Sequence, residues 1–350
     1  MSNHILAMST IKITFKPKQV SKELLSVLPA RARDVVKKRF GLEGENRMTL
    51  EAIGDTYDIT RERVRQIENF AIASIKKSDA YDEAAEILAE LKGHVHSFGG
   101  VVHERDFLGH LSKDINFQNH IHFLLVLGDD FTKLKEDDEF HHRWTIDENL
   151  SEKVHTALRS LAEVLSEDDV LTEAEIVTLF KQHLAKHVKD VRDEETARRW
   201  LALSKEVGSN PLGGWGVAAS PNIKIRGMRD LAFLVLKKHG SPMHFTEVAK
   251  SIKDAFGRSA HVATCHNELI KDDRFVLVGR GLYALSSWGY SKGTVRDIIT
   301  VLLEKEGPLT KSDIVKKVLK ERYVKENTIG VNLQNPKHFK RDDKGNFTVA

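Results

Sequence analysis

The sequence predicts a mainly α-helical chain with small β-hairpins: an N-terminal helix-turn-helix followed by a tandem array of winged helices. Three observations predict it. The stretch TLEAIGDTYDITRERVRQIENFAIASIKK, Thr49 to Lys77, reads as two helices around a tight turn. Beyond it one grammar recurs four times: a helix, a short apolar pair, a capped helix, a third helix, then a hairpin closing on an aromatic strand. Finally, 350 residues are too many for one small helical module and imply several domains.

Taken in order, residues 1–20 read as a flexible arm. A helix is expected over Val27–Phe40, with Leu28, Ala32, Val35, Val36 and Phe40 as its inner stripe and Gly41 as its stop. Gly44, Glu45 and Asn46 form the loop into the helix-turn-helix. The shorter helix, Leu50–Tyr57, offers Leu50, Ile53, Ala52 and Gly54 for close packing. Thr60 is placed to cap the second helix. Val64, Ile67, Ala71 and Ile75 then recur at helical spacing and turn inward, leaving Arg61, Glu62, Arg65, Gln66 and Asn69 on the opposite face.

The four repeats carry the apolar pair and capped helix as VVHERDFLGHL from Val101, VLTEAEIVTLF from Val170, HFTEVAKSI from His244 and PLTKSDIVKKV from Pro308. Their closing strands are RWTID, GWGVA, LYALS and NFTVA, from Arg143, Gly214, Leu282 and Asn346. The domains expected are therefore a helix-turn-helix over 21–78 and winged helices over 79–149, 150–222, 223–290 and 291–350. Trp144, Trp215, Tyr283 and Phe347 hold equivalent positions and serve best as apolar anchors of each wing.

A net charge of +3 conceals a strong asymmetry. Residues 1–78 carry 15 Lys and Arg against 9 Asp and Glu, residues 79–222 carry 15 against 28, and residues 223–350 carry 24 against 14. Two basic ends suit a phosphate backbone, and the acidic middle is repelled by one. A single cysteine, Cys265, excludes a disulfide framework, and no apolar run approaches the ~20 residues of a membrane span. The N-terminus lacks the pattern of a signal peptide, so a cytoplasmic, nucleoid-associated protein is expected.

No enzyme is expected. No phosphate-cradling loop is present, since Gly279, Arg280 and Gly281 fit a hairpin tip, and no nucleophile constellation accompanies Cys265. Eight of the 17 histidines lie between His94 and His142, yet no group has the four-ligand spacing of a structural zinc site. No metal or other cofactor is expected, and the histidines are read as surface and wing residues.

A recognition helix reads the major groove from its N-terminal end, where Arg suits guanine, Gln suits adenine and Glu accepts from cytosine. Arg61, Glu62 and Gln66 supply these three types there. The blocks LPARARDVVKKRFGL (Leu28 to Leu42) and TLEAIGDTYDITRERVRQIE (Thr49 to Glu68), in this order and spacing, resemble region 4 of bacterial primary sigma factors. The resemblance covers about the first fifth of the chain and assigns Arg61, Glu62 and Gln66 to a minus-35 promoter element. It also implies phosphate or near-groove contacts from Arg31, Arg39, Thr60, Arg63, Arg65 and the Leu50 amide. No stretch resembles region 2, which opens the minus-10 element.

The third repeat, Met228 to Tyr290, with its SPMHFTEVA turn and GRGLYAL wing, resembles the HARE-type winged helix. That module occurs in the delta subunit of bacterial RNA polymerase and in some restriction and chromatin proteins. The function expected is a sigma-like transcription regulator without melting activity. Its expected partners are double-stranded promoter DNA and the β flap of the bacterial RNA polymerase core, with no membrane and no small-molecule substrate. A delta-like polymerase accessory factor, or a component of DNA modification or restriction, are the alternatives.

Overall fold

Proline shapes the start of the chain. In the computed structural model residues 13–44, 46–188 and 193–350 are described. Helix α1 spans Pro17–Ser26, its proline at the first helical position where no amide donor is needed. Helix α2 spans Ala30–Phe40 and follows Pro29, whose ψ of 149° is extended. The helix expected from Val27 thus begins three residues later, because a residue before proline is pushed out of the α region. The expected arm is also shorter: residues 17–20 open α1, and Val20, Leu24 and Leu25 are buried. Its first twelve residues lie outside those described. Helices α3, Leu50–Tyr57, and α4, Arg61–Lys76, complete the helix-turn-helix.

A short helix α5, Asp79–Glu83, leads into the first repeat: α6 Ala85–Ser97, β1 Val101–His103, α7 Glu104–Leu111, α8 Ile115–Leu127, β2 Thr132–Leu134 and β3 Arg143–Thr145. Its antiparallel sheet runs β1-β3-β2, with Trp144 opposite both Val102 and Lys133. The second repeat holds α9 Glu148–Val164, α10 Glu173–Leu184, α11 Glu194–Leu201, β4 Val207–Ser209 and β5 Trp215–Val217. The third holds α12 Met228–His239, β6 Met243–His244, α13 Phe245–Phe256, α14 Val262–Lys271, β7 Phe275–Gly279 and β8 Leu282–Leu285, in the order β6-β8-β7. The fourth holds α15 Val295–Glu306, α16 Lys311–Glu321, α17 Glu326–Leu333, β9 Phe339–Arg341 and β10 Phe347–Val349.

The apolar pair is the source of the first strand. In the second and fourth repeats it shrinks to a single bridge, Leu171 to Trp215 and Leu309 to Phe347, on the strand position that β3 and β8 fill elsewhere. Thr172, His244 and Thr310 then cap the helices that follow. Of the expected anchors, Trp144 and Tyr283 are fully buried, whereas Trp215 and Phe347 are half-buried beside these shortened sheets.

Two units divide the chain: residues up to 166 with 171–208 and 215–218, and residues 167–170, 209–214 and 219–350. Within the first, the expected boundary at residue 78 does not separate two cores. One apolar cluster runs from Val20, Val36 and Phe40 through Ala71 and Ile75 to Leu91, Phe123, Leu124 and Trp144. The reason is α8, which buries eight of its thirteen residues, Asn119, His120 and His122 among them, and so needs cover on more than one side. Helices α1 and α2 supply that cover.

Candidate nucleic-acid interface

The helix-turn-helix owes its tight turn to three local devices. Thr49 and Thr60 cap α3 and α4, accepting hydrogen bonds from the amides of Ala52 (3.1 Å) and Arg63 (3.2 Å). Between the helices Asp58 takes a left-handed conformation, φ 52°, which short polar side chains tolerate. Gly54 lets the turn close over α3: a Cβ there would stand 2.5 Å from the Ile59 carbonyl oxygen. Val35, Ile53 and Val64, all fully buried, form the small core beneath.

Arg61, Glu62, Arg63, Arg65, Gln66 and Asn69 are all exposed on α4. Arg61 makes no hydrogen bond or ion pair among the described residues. Glu62 takes two hydrogen bonds from Arg65, at 2.9 and 2.7 Å, and this pairing holds its carboxyl below the usual range. Arg63 donates to the Gln66 amide oxygen at 3.0 Å, and the Gln66 side chain also reaches Glu62. Exposed pairs of this kind are weak and screened by solvent, so a nucleic acid displaces them at little cost.

The backbone-contact residues divide. Leu50 is the first residue of α3 and Thr60 the cap of α4, so both mark helix N-termini with unpaired amides. Arg31 is exposed on α2, its guanidinium 5.3 Å from the centre of the Tyr57 ring. Arg39 departs from the expectation: it is half-buried, donates to the Met48 carbonyl at 3.0 Å and lies 3.5 Å from Glu68. Burial raises the Glu68 pKa against the pull of Arg39, as fits a carboxyl enclosed between helices. Arg39 thus braces α2 to α4.

Several histidines also depart from the surface reading. His120, His122, His155 and His183 are buried, with His122 against Phe40 and Trp144. Beside it lies an unforeseen polar centre at Glu104, which accepts from Trp144 Nε1 at 2.8 Å and meets Lys133 at 2.8 Å, His122 at 3.5 Å and Arg47 at 3.8 Å. Burial works to raise the Glu104 pKa, but His122 and Lys133 outweigh it and hold the carboxyl far below its usual range. Burial pushes His122 down to about 4. Arg47 also donates to Asn119 Oδ1 at 2.8 Å, and Asn119 to the Gly41 carbonyl at 3.0 Å, so these bonds lock α8 to the loop after α2. No local sequence pattern announces partners this far apart.

Residues 24–77 match the family described as Sigma-70, region 4. This stretch is a sigma-70 region 4 domain. Residues 226–288 match the HARE-HTH family, a helix-turn-helix domain whose description includes restriction endonucleases. The region 4 domain is similar to parts of sigma factors. Over 70 residues it is 37% identical to RNA polymerase sigma factor RpoD of Neisseria gonorrhoeae, covering 20% of this chain and 11% of that protein. Over 66 residues it is 42% identical to SigA of Nostoc sp., 17% of each. Over 57 residues it is 39% identical to the chloroplastic sigma factor sigF of Arabidopsis thaliana, 16% of this chain and 10% of that protein. The chain therefore spans less than a fifth of the length of these relatives. The two matches place domains of a sigma-factor family and of a helix-turn-helix family in one chain. Among the described residues no helix is long and apolar enough to cross a membrane.

Proposed function

We propose that the chain is a non-enzymatic, sigma-like transcription regulator whose region 4 domain reads minus-35-type promoter DNA through Arg61, Glu62 and Gln66. The carrying observation is the exposed N-terminal face of α4, where these three side chains flank a capped helix end in a domain matched to region 4. Arg31, Thr60, Arg63, Arg65 and the Leu50 amide would then hold the phosphates on either side. In this reading promoter melting is supplied by another subunit of the polymerase, and the chain acts with or against it.

Duplex binding by Arg61→Ala and Gln66→Ala tests the reading. Each variant should cost ~1–3 kcal/mol and relax preference at one base pair. Wild-type affinity and preference in both would refute DNA reading by α4. A second reading, a delta-like accessory factor that holds the polymerase β flap, has its own support. Phe70 on the same helix is 56% exposed, an apolar side chain suited to a protein partner. Loss of polymerase copurification in Phe70→Ala, with promoter binding retained, would favour it.

A further inference from the structure

Between α1, α2 and α8 lies a half-open cleft of about 520 Å³, within the ~300–1,000 Å³ typical of small-molecule sites. Lys18 and Lys22 line it from α1, Arg33 and Lys37 from α2, and His120 from α8. Glu43, paired with Lys37, is the one acid on the lining, so the wall carries a formal charge of +3 with the imidazole neutral. Lys18 and Lys22 are exposed and make no ion pair among the described residues. Arg33 uses Nε and Nη2 on the carbonyls of Leu25, Ser26 and Leu28, which fixes it in place and leaves Nη1 for another partner. The buried side chains of Leu25 and Leu42 add an apolar part to the same wall.

The second observation is His120. It is 3% exposed, and apart from the Leu42 carbonyl its ring nitrogens have no hydrogen-bond partner among the described residues. Burial and the Lys18 charge lower its pKa, and the Leu42 carbonyl pulls the other way. A buried polar ring with at least one nitrogen unpaired is costly, and one in a cleft wall is poised to pair with what enters.

We propose that this cleft binds a small phosphorylated molecule of the nucleotide class, with its phosphates on Lys18, Lys22 and Arg33 Nη1, its ring against Leu25 and Leu42, and a polar group on His120. A di- or triphosphate supplies the charge that the wall lacks, and an apolar wall beside a cationic rim suits a base better than a bare anion. Arg31 and Lys38 lie over Tyr57 from α2, whereas Arg33 and Lys37 face the cleft. The ligand therefore does not use the α4 face, and the site stands or falls independently of promoter reading.

Calorimetric titration of the full chain with ATP, inorganic pyrophosphate and adenosine tests the proposal. ATP should bind, pyrophosphate should bind more weakly and compete with it, and adenosine should give no heat. The paired substitution Lys18→Glu, Lys22→Glu changes exposed residues and should leave the melting temperature in place while weakening ATP at least tenfold. Arg61→Ala should leave ATP binding unchanged. Absence of binding by both phosphates, or equal ATP affinity in the double variant, overturns the proposal. So does a double variant that loses affinity only for duplex DNA, because the lysines would then belong to a DNA-backbone track.

Discussion

Helices α8 and α14 hold the same place in two repeats of one pattern, yet α8 buries eight of its thirteen residues and α14 two of its ten. The difference is written in composition. INFQNHIHFLLVL has no continuous polar face, so α8 is enclosed by its own repeat and by α1 and α2. VATCHNELIK buries only Cys265 and Leu269 and leaves Val262 and Ile270 exposed. The third helix is the one a winged helix has available for a groove. In the first repeat that helix has become a pillar for the region 4 domain, and in the third it remains free. One grammar therefore serves two purposes, and the acidic residues 79–222 and basic residues 223–350 follow the same division.

The largest effect expected from breaking this contrast comes from Leu124→Ala in α8. Leu124 is completely buried in the cluster shared with α1 and α2, so truncation should cost ~2–5 kcal/mol. Because the core is shared, the region 4 helices should lose stability together with the first repeat. Hydrogen exchange of α4 and α8 amides checks this: independent loss of protection in α8 alone would break the shared core.

A second effect is pH-dependent and belongs to the same unit. His155 is buried against Phe140 and accepts a hydrogen bond from Arg143 Nε at 2.8 Å through Nε2, so it must be neutral. Burial first, then the Arg143 charge, lowers its pKa from 6.5 to about 4. A group lowered on folding binds fewer protons in the native state than in the unfolded chain. The stability it contributes is therefore present above pH 6.5 and is lost as pH falls toward 4. The loss should approach ~3 kcal/mol. Denaturant midpoints across this window should fall in the wild type and flatten in His155→Gln.

What the sequence disclosed and what it hid follow from the range of the contacts involved. The bounds of α3, the start of α4, the Thr60 cap and the tight turn between the helices were legible because capping and helical period act over about three to seven residues. The repeat order was legible for the same reason, since each aromatic strand follows its own hairpin. The bracing contacts of Arg39 were hidden because its partners, Met48 and Glu68, come from other segments. The buried histidines and the Glu104 centre were hidden likewise, since Arg47, Glu104, His122 and Lys133 meet only after several elements fold together. Pro29 was a local signal that the helical stripe through Leu28 outweighed.

A smaller effect separates the two basic regions. Lys311 opens α16 in the fourth repeat, within the segment of strongest positive balance. If that repeat tracks DNA phosphates, Lys311→Ala should reduce the salt slope of duplex binding by about 0.9 and leave base preference unchanged. A slope equal to that of the wild type would assign the positive charge to another partner and leave region 4 as the DNA contact.

The smallest effect is the mirror of the first. Ile270 on α14 is 62% exposed, so Ile270→Lys removes little buried surface and should shift stability by less than about 0.5 kcal/mol. Apolar exposure of this size has no packing purpose within the chain, and the added charge should if anything favour an approaching phosphate. A loss comparable to that of Leu124→Ala would mean that α14 is covered in solution as α8 is. The contrast between pillar and free helix would then fail at its second term.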